Sequence, residues 1–207
     1  FTKTSFCDNE IDNVTINDHK QFILKDLKLK SNIVYNQRYA SIINDNSVNY
    51  LRNKHVFCLR TIGTQYILYC TTINNHKYTF LIDKKIKDGY DYPKIFVLHY
   101  RFSDSVYDGT VFECELVRNK NNNWFLLIGD IYLSESKSID NKSIIERCNI
   151  IHEIMKEKYI QDDFCNICPL MVKRYFNIQD LENIIENHIP TLNYTVRGIY
   201  FIPLINK

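Results

Sequence analysis

Two carboxylates, those of Glu113 and Glu115, stand two positions apart in the segment 110–117, which alternates in the manner of a β-strand. Because successive side chains of a strand point to opposite faces, both carboxylates should lie on one face of a sheet. The other face would carry the side chains of Phe112, Cys114 and Leu116. The carboxylate face is then either the solvated outside of a sheet or one wall of a cleft that binds a metal, a ribose or a basic group.

A third carboxylate, Asp130, lies in the next strand-like segment, 124–133. Alternation places it on one face with Trp124, Leu126 and Ile128. A carboxylate among apolar side chains is costly to bury unless it is paired, so we expect Asp130 to have a basic partner. Trp124 lies six positions away, roughly 20 Å along a strand, and we interpret it as a packing residue rather than as a platform for base stacking.

An arginine precedes the turn in the segment His55–Leu68, HVFCLRTIGTQYIL. This segment is typical of a buried strand, a polar turn at Gly63 and a second strand, and such turns often hold nucleotides. It has neither a glycine-rich phosphate loop nor a lysine. Arg60 keeps its proton, so it can hold an anion but cannot act as a nucleophile. Near the end of the chain, the pair Arg197-Gly198 indicates either a β-bulge or a strand edge that faces a ligand.

Four side chains have the spacing of zinc ligands: Cys148, His152, Cys165 and Cys168. The first two lie four positions apart on a predicted helix and the last two form a C-x-x-C pair, which together make an acceptable tetrahedral set. Alternatively, Cys148 and His152 belong to the buried stripe of that helix. The chain has seven cysteines, an odd number without the spacing of a disulfide framework, which favours free thiols in a reducing, cytoplasmic compartment.

The composition limits the possible classes of protein. Of the 207 residues, 45% are hydrophobic, 14% aromatic and 24% charged, as is usual for a globular protein. The formal net charge of +2 gives no overall field that attracts nucleic acid, so contact with RNA requires a local patch. No apolar run approaches the roughly 18 residues of a membrane span. The abundance of Asn, Ile, Lys and Tyr indicates an AT-rich genome, such as that of a large DNA virus.

The elements that must position these residues are mostly short strands. The predicted strands are the two on either side of the Gly63 turn within 56–69, followed by 78–82, 95–100, 111–117, 124–133, 170–175 and 196–204, with a hairpin turn at 74–76. The predicted helices are 18–30, 143–159 and 178–188, of which the last is capped by Asn177 and stopped by Pro190. This order indicates an α+β fold with a largely antiparallel sheet. We predict a single domain over 1–207, in which 1–50 is the least well assigned segment.

Taken in order, these segments resemble the nucleotidyltransferase domain of the GTP:RNA guanylyltransferases, the mRNA-capping enzymes. That fold is shared with ATP-dependent ligases and with the cap-binding domain of snurportin. The resemblance covers the segment 56–203, most of the chain. Arg60–Gln65 stands where the family has K-x-D-G-x-R, Glu113–Glu115 where it has D-G-E, and Arg197–Pro203 where it has DGLIF-x-P.

Three further matches lie between these motifs. A strand reaches Asp130, a helix has Arg147 near its start, and a basic strand follows at Met171–Phe176. The resemblance implies an antiparallel-sheet fold like that of the nucleotidyltransferases. In the family an OB-fold domain follows the matched region, and because the sequence stops at Lys207 we expect no counterpart of it.

The departures from the family motifs bear on the reaction. In the family a lysine amine attacks the α-phosphate of GTP, and here Arg60 stands at that position. Ile62 replaces the aspartate of the same motif, Gln65 replaces its arginine, and Arg197 replaces the aspartate of the later motif. The nearby lysines lie outside the loop: Lys54, Lys84 and Lys85. We therefore expect a catalytically inactive domain.

The resemblance then implies a domain that binds an mRNA 5′ cap or a guanine nucleotide without a cofactor. The ligand-binding residues would be Arg60, Thr61, Gly63, Gln65, Glu113, Glu115, Asp130, Lys173 and Arg197. The ring that stacks on the base would be one of Tyr66, Phe112, Trp124, Tyr200 and Phe201. Two alternatives remain open. One is a non-catalytic subunit that holds or activates a capping or translation-initiation factor, and the other is an active nucleotidyltransferase with an unconventional nucleophile.

Overall fold

Short strands dominate the computed structural model, which describes residues 16–30, 55–162 and 168–204. The strands are β1 (His55–Thr61), β2 (Thr64–Ile73), β3 (His76–Asp83), β4 (Ile95–Leu98), β5 (Arg101–Phe102), β6 (Asp108–Arg118), β7 (Trp124–Ser134), β8 (Lys137–Ser138), β9 (Tyr159–Ile160), β10 (Leu170–Val172), β11 (Tyr175–Asn177) and β12 (Val196–Pro203). The helices are α1 (Ile16–Lys30), α2 (Ile144–Glu153) and α3 (Leu181–Asn183). The predicted α+β class with largely antiparallel sheets is confirmed over these residues.

The large sheet has the strand order β10-β7-β6-β2-β3-β4, with β8 added to β7. Neighbouring strands in this sheet run antiparallel, except that β10 runs parallel to β7. The hairpin between β2 and β3 turns at Asn74 and Asn75, whose φ angles are 50° and 65°. Asparagine tolerates this left-handed conformation, which a two-residue hairpin turn requires. The predicted turn is therefore confirmed at these residues.

Among the described residues, the small sheet consists of β11, β1 and β12, paired antiparallel in that order. The chain leaves this sheet at Thr61, turns at Ile62 and Gly63, and enters the large sheet at Thr64. The two strands on either side of the polar turn therefore belong to different sheets. A two-stranded ribbon of β5 and β9 completes the pairing among the described residues.

Two predicted elements need correction. The strand predicted at 170–175 is two short strands, because β10 joins the large sheet and β11 the small one. The helix predicted at 178–188 is a 3₁₀ turn (Ile178–Asp180), the three-residue α3 and a π-helical turn (Ile184–His188). Asn177 makes no side-chain capping hydrogen bond, and Pro190 lies in a further 3₁₀ turn. Helix α2, in contrast, begins with a capping box between Ser143 and Glu146 and continues as a π-helical turn to Lys158.

The core has a layer on each face of the large sheet. One face packs against α2 and the β5–β9 ribbon and includes Phe112, Cys114, Leu116, Leu126, Ile128, Ile131 and Ile151. The opposite face packs against α1, through Ile23, Leu24 and Leu27 from the helix and Ile67, Tyr69 and Tyr132 from the sheet. The Tyr69 hydroxyl also donates a hydrogen bond to Asp26 of α1. Among the described helices, none has the length and apolar character needed to cross a membrane.

Candidate functional site

The two sheets meet at three side chains that we call the junction cluster: Thr61, Glu115 and Lys173. Glu115 is 6% exposed and Lys173 is 7% exposed. One carboxylate oxygen of Glu115, Oε1, accepts a hydrogen bond from Lys173 Nζ at 2.6 Å. The other, Oε2, accepts one from Thr61 Oγ1 at 2.5 Å. Because Thr61 ends β1, Glu115 lies in β6 and Lys173 follows β10, this cluster ties both sheets together.

The junction cluster keeps its lysine charged. Burial lowers the pKa of Lys173, but Cys58 and the Glu115 carboxylate raise it by more, so the pKa lies above that of an ordinary lysine. Burial likewise raises the pKa of the Cys58 thiol to about 11, and the neighbouring Lys173 offsets part of that increase. At neutral pH the cluster is therefore an ammonium–carboxylate pair beside a neutral thiol.

Glu113 forms an ion pair with a different lysine, Lys84. Its Oε1 atom lies 3.0 Å from Lys84 Nζ, and the side chains of Lys84 and Glu113 are 8% and 23% exposed. The Tyr132 hydroxyl donates a hydrogen bond to Oε2 of the same carboxylate. Glu113 and Glu115 do share the face opposite Phe112, as predicted, but each is held by a separate cation. The alternative of a solvated outer face is wrong.

Asp130 pairs with an arginine on helix α2. Nε of Arg147 donates to Oδ1 at 2.7 Å and Nη2 donates to Oδ2 at 3.2 Å, so the contact is bidentate and both residues are buried. The expected basic partner is thus confirmed. The predicted face is wrong, because the register with β6 shifts and leaves Gly129 without a partner. Asp130 therefore lies opposite Glu113 rather than on the apolar face of Ile128.

The turn at Gly63 is shaped by packing. Its N–H donates to Thr61 Oγ1 at 2.9 Å. A Cβ at this position would lie 2.7 Å from the Leu116 carbonyl oxygen and 2.9 Å from Val117 Cγ2. Only glycine lets the turn approach β6 this closely. Gln65 then lies opposite Glu115 in the β2–β6 pairing, half-buried.

Arg60 and Arg197 are both exposed, Arg60 near the end of β1 and Arg197 near the start of β12. The Arg60 guanidinium lies over the Tyr200 ring, with Cζ 5.2 Å from the ring centroid. Arg60 is paired with Gly198, and the register then shifts so that Arg197 has no partner on β1. This register shift is compatible with the β-bulge alternative for Arg197-Gly198. Within the described ranges neither arginine forms an ion pair with a carboxylate.

The predicted site residues fall into three sets in the structure, and only the first set forms a cluster of side chains in contact. Thr61, Glu115 and Lys173 are in contact, with Gly63 and Gln65 adjoining them. Arg60 and Arg197 lie on neighbouring strands at the surface, and Glu113 and Asp130 have separate partners. Sequence reasoning missed Cys58 and the role of Lys84. Cys58 could have been found from its two-residue spacing to Arg60, whereas no local signal places Lys84 beside Glu113.

The zinc set is not assembled among the described residues, which contain no group of three or more His, Cys, Asp or Glu side chains placed to hold a metal ion. Cys165 lies outside the described residues. Cys148 is buried, whereas His152 on the same helix is exposed. Cys168 is buried, and its carbonyl oxygen accepts a hydrogen bond from the Tyr100 hydroxyl at 2.6 Å.

A shallow cavity of about 220 Å³ lies elsewhere. It is lined by residues of β7 and α2 and of the segments that directly follow them, among them Ser134, Glu135, Ile150 and Lys158. Ser134 is seven positions along β7 from Leu127, the partner of Glu115, a distance of roughly 23 Å. The cavity is therefore separate from the junction cluster.

The comparisons with known proteins add no family. A scan against protein-family models gave no match, and a search of curated proteins gave none.

Proposed function

We propose that this chain is a non-catalytic, guanylyltransferase-like domain that binds a guanine nucleotide or an RNA 5′ cap at the junction of its two sheets. The observation that carries the proposal is the placement of Arg60 and Arg197. Both are exposed, Arg60 directly precedes Thr61 of the junction cluster, and Arg197 directly precedes the Gly198 that pairs with Arg60. Neither arginine has a carboxylate partner within the described ranges. Two guanidinium groups placed in this way suit the oxygens of a phosphate chain, which accept bidentate hydrogen bonds.

The topology supports a nucleotidyltransferase-like fold as part of this proposal. The segment Arg60–Gln65 resembles the family's lysine motif, and here it connects two antiparallel sheets. The segments that resemble the later motifs adjoin it, because Glu115 bonds to Thr61 and Gly198 pairs with Arg60. Residues that resemble separate family motifs therefore lie around one turn.

Tyr200 is the aromatic ring that suits base stacking in this proposal. Tyr66 and Phe112 are fully buried in the core, and Phe201 packs against Phe57 on the other face of β12. Tyr200 is half-exposed and already lies beside the Arg60 guanidinium. A ring and a guanidinium together could bind a base and the adjoining phosphates.

The contacts of the lysines support binding without covalent transfer. A lysine must lose its proton to attack a phosphate. The Lys173 amine is bound to Glu115 and its pKa is raised, while the Lys84 amine is bound to Glu113. In this proposal the buried junction cluster holds the strands in place, and the exposed arginines make the contacts to the ligand.

Isothermal titration with GTP, 7-methylguanosine triphosphate and ATP tests the proposal. We expect Arg60→Ala and Arg197→Ala each to weaken the binding of the guanine ligand by about 1.5–3 kcal/mol. The matched control is Lys156→Ala, because that exposed cation pairs with its neighbour Glu157 and should leave affinity unchanged. Absence of binding by all three nucleotides would contradict the proposal. A covalent adduct after incubation with labelled GTP would contradict its non-catalytic part.

A second candidate, a subunit that holds or activates a capping or translation-initiation factor, is favoured by one surface. Ile86 and Tyr90 are 52% and 62% exposed in the connection that follows Lys84. Where exposed apolar side chains form a contiguous patch, that patch can mark a protein-binding surface. Affinity purification from the source cells with the wild-type chain and with Ile86→Asp/Tyr90→Asp would test this candidate. A factor retained by the wild-type chain and lost from the double variant would support it.

A further inference from the structure

The small sheet turns one face toward the carboxylates of the large sheet. Cys58 and Arg60 lie two positions apart on β1, so their side chains share this face. Tyr175, the β11 partner of Cys58, donates a hydrogen bond to the Gly129 carbonyl in β7. Burial is the main cause that raises the pKa of the Cys58 thiol to about 11. The charged groups that also act on this pKa are Lys173, Glu115, Asp130 and Glu113.

The three carboxylates in this region are each held by a cation of the chain itself. The ion pairs are Lys84–Glu113, Lys173–Glu115 and Arg147–Asp130. Both oxygens of every one of these carboxylates accept a hydrogen bond from the protein. Magnesium is bound in proteins through carboxylate oxygens together with the phosphates of a ligand. To bind at these carboxylates, a divalent cation would have to displace a lysine or an arginine.

The remaining charge of the region is positive. The three carboxylates and their three cations cancel, whereas Arg60 and Arg197 have no carboxylate partner in the part of the chain that the structure describes. Guanidinium groups bind phosphate oxygens bidentately and need no metal ion to do so. A magnesium ion on the same phosphates would occupy those oxygens and add positive charge beside the arginines.

We infer that this site takes a polyphosphate chain in its metal-free form, and that Mg²⁺ competes with Arg60 and Arg197 for the phosphate oxygens. The inference rests on the proposed function for the location of the site and distinguishes between its two ligands. The terminal phosphate of free GTP carries a second negative charge near neutral pH, which favours the binding of Mg²⁺. The triphosphate bridge of an RNA cap has no terminal phosphate. When Mg²⁺ is present, the site should therefore favour the cap over GTP.

Isothermal titration in EDTA and in excess Mg²⁺ tests the inference. The probes are GTP, diguanosine triphosphate, in which two guanosines are joined through a 5′–5′ triphosphate, and inorganic triphosphate. We expect GTP and inorganic triphosphate to bind at least about tenfold more weakly in Mg²⁺, as for the loss of one charge-assisted contact. The affinity for diguanosine triphosphate should fall by a smaller factor.

A change of one lysine tests whether the internal ion pairs set this preference. Lys84→Gln leaves Glu113, whose side chain is 23% exposed, without its cation. The freed carboxylate can then join phosphate oxygens around Mg²⁺, so the loss of GTP affinity in Mg²⁺ should be smaller than in the wild-type chain. The matched control is Lys87→Gln in the same connection, because Lys87 is exposed and should leave the Mg²⁺ effect unchanged. Circular dichroism checks that both variants are folded.

Two results would overturn the inference and leave the proposed function intact. One is binding of GTP that is equal or tighter in Mg²⁺, and the other is a wild-type Mg²⁺ effect in Lys84→Gln. Binding of inorganic triphosphate that Mg²⁺ weakens, with no binding of either guanine ligand, would support the inference and contradict the proposed function. Absence of binding by all three probes in EDTA would contradict both.

Discussion

At the scale of single residues, the Glu115–Lys173 pair is the contact on which the junction of the sheets most depends. Both side chains are buried, so the loss of one partner leaves an uncompensated charge away from water. Such a loss is strongly destabilising even where the intact pair adds little net stability.

We predict that Glu115→Gln lowers the free energy of unfolding by about 3–5 kcal/mol, because Lys173 keeps its charge and loses its carboxylate. Urea unfolding followed by circular dichroism measures the effect. Glu157→Gln is the control, because its pair with Lys156 is exposed to solvent and its loss should cost about 1 kcal/mol or less. Equal losses of unfolding free energy in the two variants would contradict the prediction that the Glu115–Lys173 pair is the more important of the two.

We also predict that Gly63→Ala is destabilising, by about 1–3 kcal/mol, because the added Cβ must displace the Leu116 carbonyl. Gly198→Ala is the control, since a Cβ there meets no atom within 4 Å and should change stability by at most about 0.5 kcal/mol. Thermal unfolding of both variants makes the comparison. A stable Gly63→Ala protein would show that the turn can move away from β6.

Sequence alternation was sufficient to place Glu113 and Glu115 on one face, because the period of a strand is a local property. It could not identify their partners. Lys84 lies 29 positions from Glu113 and Lys173 lies 58 positions from Glu115. Those contacts depend on how the strands pair, which the local pattern does not specify.

At the scale of elements, the strands were predicted best where apolar alternation is long and the turn residues are distinctive. Strands β6 and β7 and the Asn74-Asn75 turn are examples. The register shifts between β6 and β7 were not predicted, and one of them turned Asp130 to the other face. The segment 170–175 was mistaken for one strand because a change of sheet between Val172 and Tyr175 has no signal in side-chain pattern.

Helix α1 provides a test at this scale, because its apolar stripe is short. Leu27 is fully buried against the large sheet, whereas Phe22 on the same helix is 54% exposed. We predict that Leu27→Ala removes hydrogen-exchange protection from 16–30, with a loss of about 2–5 kcal/mol in the stability of the docked helix. Phe22→Ala should leave the protection unchanged. Full protection in Leu27→Ala would contradict the packing described for α1.

At the scale of the whole molecule, buried thiols give stability a dependence on alkaline pH. Burial raises the pKa of Cys70 and Cys168 to about 12, and that of Cys58 to about 11. An unfolded thiol titrates near pH 8.5. Between these values the native state binds more protons than the unfolded state, so stability falls as pH rises.

We therefore predict that the free energy of unfolding, measured in reducing buffer, is level up to about pH 8.5 and then decreases by about 1.4 kcal/mol per pH unit for each such thiol. Cys58→Ala should give a shallower decrease, whatever its stability at neutral pH. Urea midpoints from pH 7.5 to 10 provide the measurement. Equal slopes for the variant and the wild-type chain would contradict the burial of Cys58.

The class of fold could be predicted from sequence, because it depends on the order of strand and helix periodicity along the chain. Errors in the bounds of single elements do not change that order. The division into two sheets could not. Strand β1 and its neighbour β12 both look like ordinary apolar strands, and their pairing with each other rather than with the large sheet depends on contacts across the whole chain.

That pairing has a consequence during synthesis on the ribosome. Phe57 lies opposite Phe201, so β1 emerges roughly 140 residues before its partner, and contacts of such long range slow folding. At about 5–20 residues per second the wait is on the order of 7–30 s. During this wait the apolar segment Val56–Leu59 has no strand partner and is available to chaperones. A nascent chain released early should aggregate through this segment.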